Sequence, residues 1–132
     1  IDTGGSSLKA APVDCGRGRL VSEVCSFPTP MPATPQAVAE VVKQIAAAFP
    51  QVKGPIGFGF PAVVKGGVAR TAANVDRAWI GTSGVELVRE ATGRAAAFLN
   101  DADAAGLAEM RFGAGRGEQG SVMMLTLGTG IG

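Results

Sequence analysis

The spacing of apolar residues predicts that helices and strands alternate through most of the chain. Val38, Val42 and Ile45 recur at helical spacing, which predicts a helix that begins after Thr34 and ends near Pro50. The elements predicted after it are a strand at residues 55–60, a hairpin at 61–72, a helix at 83–93, a strand at 95–99, a helix at 102–111 and a strand at 121–127.

Local signals mark where several of these elements begin and end. Ser83 and Glu86 form a capping box ahead of an apolar helical face, and Gly93 is a typical residue to end that helix. The two glycines at 66–67 favour a tight two-residue turn between short strands. These signals fix the limits of the second helix and of the hairpin.

The first part of the chain predicts an antiparallel meander. Residues 7–13 and 19–27 have the character of strands joined by a polar turn, and the prolines at 28–32 predict a connector. The chain begins directly at a glycine-rich turn, so we expect the strand before that turn to be missing. Three antiparallel strands followed by helix, strand, helix and strand predict an α/β lobe, in which crossover helices cover a mixed sheet.

Composition excludes several functional classes. The net charge of +1 argues against a general surface for polyanions, so no nucleic acid partner is expected. The sequence holds no histidine, which excludes serine–histidine catalysis and histidine-ligated metal sites within these residues. No apolar run approaches the ~18 residues of a membrane span. Cys15 and Cys25 fall on predicted neighbouring strands, where we favour free thiols over a disulfide and hence a reducing, cytoplasmic location.

The strand at 95–99 ends in an amide and a carboxylate, Asn100 and Asp101. Ligands collect at the carboxyl ends of parallel strands, so both groups are candidate site residues. Asp101 can act as a general base toward an alcohol, and Asn100 can both donate to and accept from a pair of sugar hydroxyls. The competing interpretation is structural, in which Asp101 or Asp103 only caps the next helix.

A glycine-rich turn near each end of the sequence predicts a phosphate site. Asp2 cannot bind phosphate directly because both are anionic, but it can hold a Mg²⁺ ion or its water shell. Glycine turns with hydroxyl groups can cradle phosphate, although an ordinary turn is the alternative for either turn alone. The candidate phosphate-binding residues are Gly4, Gly5, Ser6, Ser7 and Lys9 in the first turn and strand, and Gly128, Thr129 and Gly130 in the second turn.

The polar loop at residues 71–81 contains the only tryptophan of the sequence. Asn74 is a candidate for hydrogen bonds to sugar hydroxyls, and the loop is a candidate to close over a sugar. We interpret Trp79 itself as a core anchor.

Five stretches together resemble the repressor, open-reading-frame, kinase (ROK) family of sugar kinases, and within it most closely the branch of polyphosphate-dependent glucokinases. The resemblance covers essentially the whole sequence, although Ser6 replaces a threonine that is usual in the family and Ala62 replaces a glycine. The stretches are I-D-T-G-G-S-S-L-K at 1–9, R-T-A-A-N-V-D-R-A-W-I-G at 70–81, L-N-D-A-D-A-A-G-L-A-E at 99–109, G-A-G-R-G at 113–117 and L-G-T-G-I-G at 127–132.

The resemblance implies a two-lobed actin-like, ribonuclease-H-like fold, with residues 1–120 as the N-terminal lobe and 121–132 as the first strand and turn of a second. It implies transfer from polyphosphate, and also ATP, to the 6-hydroxyl of glucose, with Mg²⁺ as cofactor. Asp101 would be the catalytic base, and Asn74, Asn100 and Asp101 would bind the sugar. A homodimer is expected for the full-length protein, whereas these residues alone are expected to be inactive because the second lobe must close the cleft.

Two other functions fit the same residues. The family also contains non-catalytic sugar-sensing repressors, which would carry an upstream DNA-binding domain. A kinase for mannose or an N-acetylated hexose also fits, because epimers differ by a single hydroxyl. Polyphosphate use should further require a basic groove beyond the cleft, for which the candidates are Lys65, Arg70, Arg77 and Arg116.

Overall fold

A five-stranded mixed sheet forms the centre of the computed structural model, which describes residues 1–73 and 75–127. The strands, in chain order, are β1 (Asp2–Thr3), β2 (Ser7–Ala10), β3 (Val13–Asp14), β4 (Arg19–Leu20), β5 (Cys25–Pro28), β6 (Ile56–Phe60), β7 (Val64–Lys65), β8 (Val68–Ala69) and β9 (Ala96–Asn100). The helices are α1 (Pro35–Ala48), α2 (Gly84–Thr92) and α3 (Asp101–Phe112), with a 3-10 helix at Arg77–Trp79.

The strand order of the central sheet is β5-β2-β1-β6-β9. β5, β2 and β1 are antiparallel, whereas β1, β6 and β9 are parallel. The predicted mixed sheet and its crossover helices are therefore confirmed. Within the described ranges, no helix is long and apolar enough to cross a membrane.

The predicted meander is wrong in its details. The strand expected at 7–13 breaks after Ala10, because Pro12 has no N–H with which to continue the ladder. The strand expected at 19–27 is divided between β4, which pairs only with β3, and β5 in the central sheet. Cys15 lies in the β3–β4 turn and Cys25 on β5, so they are not on neighbouring strands, but both thiols are free as predicted.

Two further strand predictions are corrected. A strand does precede the first glycine turn, because Asp2–Thr3 pairs with both β2 and β6 at the centre of the sheet. Conversely, residues 121–126 form no strand, since they pair with none of the strands in the described part of the chain. The turn predicted at 128–132 lies outside the described residues.

The helix signals are confirmed by their hydrogen bonds. The Thr34 side chain accepts from the Ala37 amide, and the Ser83 side chain accepts from the Glu86 amide at 3.2 Å. Gly93 ends α2 in the left-handed conformation, with φ of 69°. The hairpin also forms as predicted, with positive φ angles at the two glycines between β7 and β8. These features were predictable because each depends on residues close in sequence.

Aromatic rings fill the layer between the sheet and helices α1 and α2. The rings of Phe58 and Phe98 lie 5.2 Å apart between centroids, and the Trp79 ring lies 4.2 Å from that of Phe60. Trp79 is fully buried, and its indole N–H donates to the Ala33 carbonyl at 2.9 Å. The prediction that Trp79 anchors the loop to the core is confirmed.

The opposite face of the sheet carries small or polar residues, apart from the exposed Leu99, and is only partly covered. Alternate positions on the strands point to this side, which α3 covers in part. Its residues include Asp2, Lys9, Gly57, Gly59 and Ala97.

Thr3 gives a test of the packing on the covered face. Its side chain is 4% exposed, and among the described residues its Oγ1 has no hydrogen-bond partner. Valine has nearly the same shape without the unsatisfied hydroxyl, so Thr3→Val should raise the free energy of unfolding by about 1 kcal/mol. Thr3→Ala, which also removes a methyl group, should be less stable than Thr3→Val. Thermal unfolding of both variants measures this, and a less stable valine variant would show that the hydroxyl has a partner.

Candidate functional site

The parallel strands β1, β6 and β9 end at the same edge of the sheet. The glycine turn at residues 4–7 follows β1, Pro61 and Ala62 follow β6, and Asp101 follows β9. This edge is where ligands bind in sheets of parallel strands. The structure therefore brings the first predicted phosphate turn and the predicted catalytic carboxylate to one edge of the sheet.

Asn100 ties the ends of β6 and β9 together. Its Nδ2 donates to the Ala62 carbonyl at 3.1 Å, and its Oδ1 accepts from the Asp103 amide at 3.1 Å. Asn100 is therefore the N-cap of α3, and the alternative that Asp101 or Asp103 is the cap is wrong. An amide has two N–H groups and two acceptor lone pairs, so Asn100 retains one of each for a ligand.

Asp101 is the first residue of α3 and is half-buried. Its Oδ1 accepts from the Ala102 amide at 2.9 Å, which fixes the orientation of the carboxylate. Its Oδ2 accepts no hydrogen bond from any residue that the structure describes. One oxygen is thus held by the backbone, and the other can accept a proton from a ligand.

Gly59 lies next to both Asp2 and Asp101. A methyl group at this position would lie 3.7 Å from the Asp101 Cα and 3.9 Å from Asp2 Oδ1. All three residues line a groove of about 420 Å³ between the sheet and α3. Sequence reasoning missed Gly59, although glycine at alternate positions of a buried strand, Gly57 and Gly59, indicates a close approach.

The turn at residues 4–7 is held by its own backbone and by Thr29. The Gly4 amide donates to the Ser7 carbonyl at 2.9 Å, while the Thr29 hydroxyl donates to the Gly4 carbonyl at 2.8 Å and the Thr29 amide to the Ser6 carbonyl at 3.1 Å. Among the described residues, none accepts from the Gly5 or Ser6 amide. These bonds engage carbonyls and leave N–H groups for an anion.

The two glycines of this turn differ in their surroundings. A methyl group at Gly4 would lie 3.0 Å from the Ser7 carbonyl oxygen, a tight contact that favours glycine there. A methyl group at Gly5 would meet no atom within 4 Å, so this position presents open backbone. The role of Thr29 in holding this turn was not predicted from the sequence. The only sequence feature that marks Thr29 is its hydroxyl group between two prolines.

Lys9 lies directly across from Asp2 in the β1–β2 ladder, and both side chains are exposed on the open face. Residues opposite each other in a ladder interact across the strands, so the Lys9 ammonium lies on the same side of the sheet as the Asp2 carboxylate. Of the other predicted site residues, Asn74, Gly128, Thr129 and Gly130 lie outside the described residues.

Comparison with known sequences shows which family the chain resembles. The family model described as the ROK family matches residues 1–132. A polyphosphate glucokinase from Mycobacterium tuberculosis is 49% identical over 133 residues, which cover 100% of this chain and 50% of the relative. One from Mycobacterium leprae is 48% identical and is covered to 41%. The chain thus spans about half the length of these relatives.

Solved structures show the same fold. An inorganic polyphosphate/ATP-glucomannokinase from Arthrobacter sp. strain KM matches with a TM-score of 0.92 at 45% identity, over 100% of this chain and 55% of that protein. A ROK family glucokinase from Streptomyces griseus, in complex with glucose and AMPPNP, matches with a TM-score of 0.84 at 31% identity. The match covers 99% of this chain and 41% of that protein. The likeness confirms the predicted fold class, the mixed-sheet lobe of an actin-like kinase fold. The chain therefore belongs to the ROK family.

Proposed function

We propose that the full-length protein is a sugar kinase that transfers a phosphoryl group from polyphosphate, and also from ATP, to the 6-hydroxyl of glucose. The observation that carries the proposal is the shared sheet edge, where the Asp101 carboxylate and the glycine turn at 4–7 follow parallel strands. A free carboxylate oxygen and open backbone amides at the same end of the parallel strands match the needs of phosphoryl transfer to an alcohol. Similarity to the polyphosphate glucokinases supports the choice of donor and sugar.

Asp101 is the general base in this proposal. Its Oδ2 accepts the proton of the sugar hydroxyl while Oδ1 stays bonded to the Ala102 amide, which holds the carboxylate in line with the attacking oxygen. Asn100 offers its remaining N–H and lone pair to neighbouring sugar hydroxyls, and Asn74 adds a further sugar contact. Base catalysis supplies about 10²- to 10⁴-fold, so positioning and charge neutralisation must provide the rest.

The phosphoryl donor lies between the two glycine turns. In the first turn the Gly5 and Ser6 amides and the serine hydroxyls donate to phosphate oxygens, and Lys9 contributes positive charge. Gly128, Thr129 and Gly130 are proposed to contact the donor from the second lobe. Preorganised donors of this kind favour the charge that develops in the transition state.

Asp2 is the residue proposed to hold Mg²⁺. Magnesium is commonly bound by one or two carboxylates together with substrate phosphates, and an exposed carboxylate beside the phosphate turn fits that pattern. The ion would neutralise charge on the phosphate oxygens. The Asp2 carboxylate itself lies across Gly59 from Asp101, so it would keep the ion beside the acceptor oxygen.

The wider organisation is also part of the proposal. Residues 1–120 form the N-terminal lobe, which carries the sugar and the first phosphate turn, and residues 121–132 begin the C-terminal lobe. The longer relatives support a second lobe, because this chain spans about half of their length. We further propose a homodimer that acts in the cytoplasm.

Mannose is a second candidate substrate. The Arthrobacter relative is named a glucomannokinase and is 45% identical to this chain, which favours testing both sugars. A non-catalytic sugar sensor is the third candidate, because the free Oδ2 of Asp101 can also accept a hydrogen bond from a sugar hydroxyl without taking its proton. Turnover with each sugar separates the three functions.

Replacement of Asp101 tests the assignment of the base. In the full-length protein, Asp101→Asn should lower kcat about 10²- to 10⁴-fold, because an amide cannot accept the proton. Glucose affinity should stay within severalfold of wild type, since the amide keeps most of the hydrogen bonds. Asp103→Asn is the matched control, because Asp103 is exposed in the same helical turn, and it should keep near-normal kcat. Steady-state kinetics measures kcat of both variants, and glucose titration measures their affinity for the sugar. Near-normal turnover of Asp101→Asn would show that Asp101 is not the general base.

Gly59 tests the role of the groove that Asp2 and Asp101 line. A first methyl group at Gly59 would already contact Asp101 and Asp2, so the two further methyl groups of Gly59→Val should crowd the groove that both residues line. We therefore expect kcat/KM for the phosphoryl donor to fall at least tenfold. Gly57→Val is the control, because it adds the same side chain on the same strand and face where a methyl group meets no atom within 4 Å. Equal activity in the two variants would show that the space at Gly59 is not part of the site.

A further inference from the structure

Four arginines line a groove at the opposite end of α3 from Asp101. The groove has a volume of about 550 Å³ and lies between the β3–β4 hairpin and the end of the helix. Among the described residues that line it, none is acidic. They are Gly16, Arg17, Arg19, Arg111, Phe112 and Arg116.

Close packing of Phe112 against the hairpin brings these arginines together. Gly18 has a φ of 66°, and a methyl group there would lie 2.5 Å from the Phe112 ring, so only glycine admits the ring. The Asp14 carboxylate holds the same turn by accepting from the Gly16 and Arg17 amides at 2.9 and 3.1 Å. The Arg111 guanidinium lies 5.2 Å from the centroid of the Phe112 ring. The groove is therefore a defined feature of the fold.

The groove concentrates positive charge on a chain that is almost neutral overall. Its four arginines are a third of the 12 basic residues, while the net charge of the sequence is only +1. One ion pair is present, between Arg17 and Asp14 at 3.8 Å, and both side chains are exposed, so it holds Arg17 weakly. The helix dipole favours a cation such as Arg111 at the end of α3, but it does not account for Arg17 or Arg19 on the hairpin.

The chemistry of the groove suits a chain of phosphates. A guanidinium binds phosphate oxygens through two parallel hydrogen bonds and is weakly hydrated, so several arginines on one groove favour a polyanion with repeated phosphate groups. Arg111 lies ten residues along α3 from Asp101, which corresponds to roughly 15 Å along the helix axis. A polymer whose terminal phosphate is transferred to a sugar hydroxyl held by Asp101 can span this distance.

We propose that this arginine groove binds the distal part of the polyphosphate chain whose end reacts at Asp101. The inference rests on the proposed function, because it assumes that polyphosphate is a donor. Of the four basic residues that the sequence offered for this purpose, Arg116 lines the groove, whereas Lys65, Arg70 and Arg77 do not. Sequence reasoning missed Arg17, Arg19 and Arg111, because the groove is assembled from segments that are distant in the chain.

The test compares donors of different length in the full-length protein. The double variant Arg111→Gln, Arg116→Gln should raise KM for long-chain polyphosphate about tenfold at low salt, because two exposed phosphate contacts are lost. KM for ATP and for tripolyphosphate should stay within twofold, since these donors end before the groove. The double variant Arg17→Gln, Arg19→Gln changes the β3–β4 hairpin instead of the end of α3. It should raise KM for long-chain polyphosphate by a similar factor.

The matched control is Lys43→Gln with Lys53→Gln, which removes two charges from a different groove. This control should leave KM for every donor unchanged. An unchanged KM for long-chain polyphosphate in both arginine variants would overturn the proposal. An equal rise in the lysine control would also overturn it, because net charge alone would then account for the effect.

Direct binding separates this inference from the proposed function. If the wild-type protein transfers no phosphoryl group from polyphosphate, the proposed donor is wrong, but calorimetric titration with long-chain polyphosphate still tests the groove. Weaker binding by the arginine variants than by the lysine control supports the groove, and equal binding overturns it. Tighter binding of single-stranded DNA than of polyphosphate with equal charge would also overturn it, because the groove would then fit a nucleic acid.

Discussion

The parallel pairing of β6 with β9 is the interaction on which the rest of the structure depends. The register runs from Ile56 opposite Ala96 to Phe60 opposite Asn100, and aromatic rings from both strands pack together on the covered face. A slip of one residue would turn the buried Phe98 toward the open face and move the groups that follow β9 to the other side of the sheet. The aromatic core therefore sets the position of Asp101, although the core and the groove that Asp101 lines are on opposite faces of the sheet.

The two faces of the sheet divide stability from function. Burial of large rings on one side supplies the favourable free energy of folding, while glycine and alanine on the other side leave room for a ligand. Glycine in a strand costs roughly 0.5–1 kcal/mol relative to alanine, so Gly57 and Gly59 weaken β6. The gain is space, because a larger side chain at Gly59 would extend into the groove that Asp2 and Asp101 line. The site is thus formed partly by the absence of side chains.

Features that depend on neighbours in sequence were predictable, and features that depend on distant partners were not. The Thr34 and Ser83 caps, the glycine hairpin and the carboxylate after β9 all follow from local patterns. By contrast, β1 has only two residues and exists because strands on both sides pair with it. The cap at Asn100 was also missed, because an amide and two carboxylates within four residues, Asn100, Asp101 and Asp103, are all good caps and the contact with Ala62 decides among them. The arginine groove needed the packing of Phe112 on a distant turn.

The central claim is that the edge formed by β1, β6 and β9 carries out phosphoryl transfer to a sugar. The most direct measurement is formation of glucose 6-phosphate by the full-length protein with Mg²⁺, supplied with polyphosphate or ATP as the only donor. We predict product with polyphosphate and also with ATP, and none when Mg²⁺ is chelated. Absence of product with both donors, while glucose still binds, would show that this edge of the sheet binds a sugar without phosphorylating it and would favour a sugar sensor.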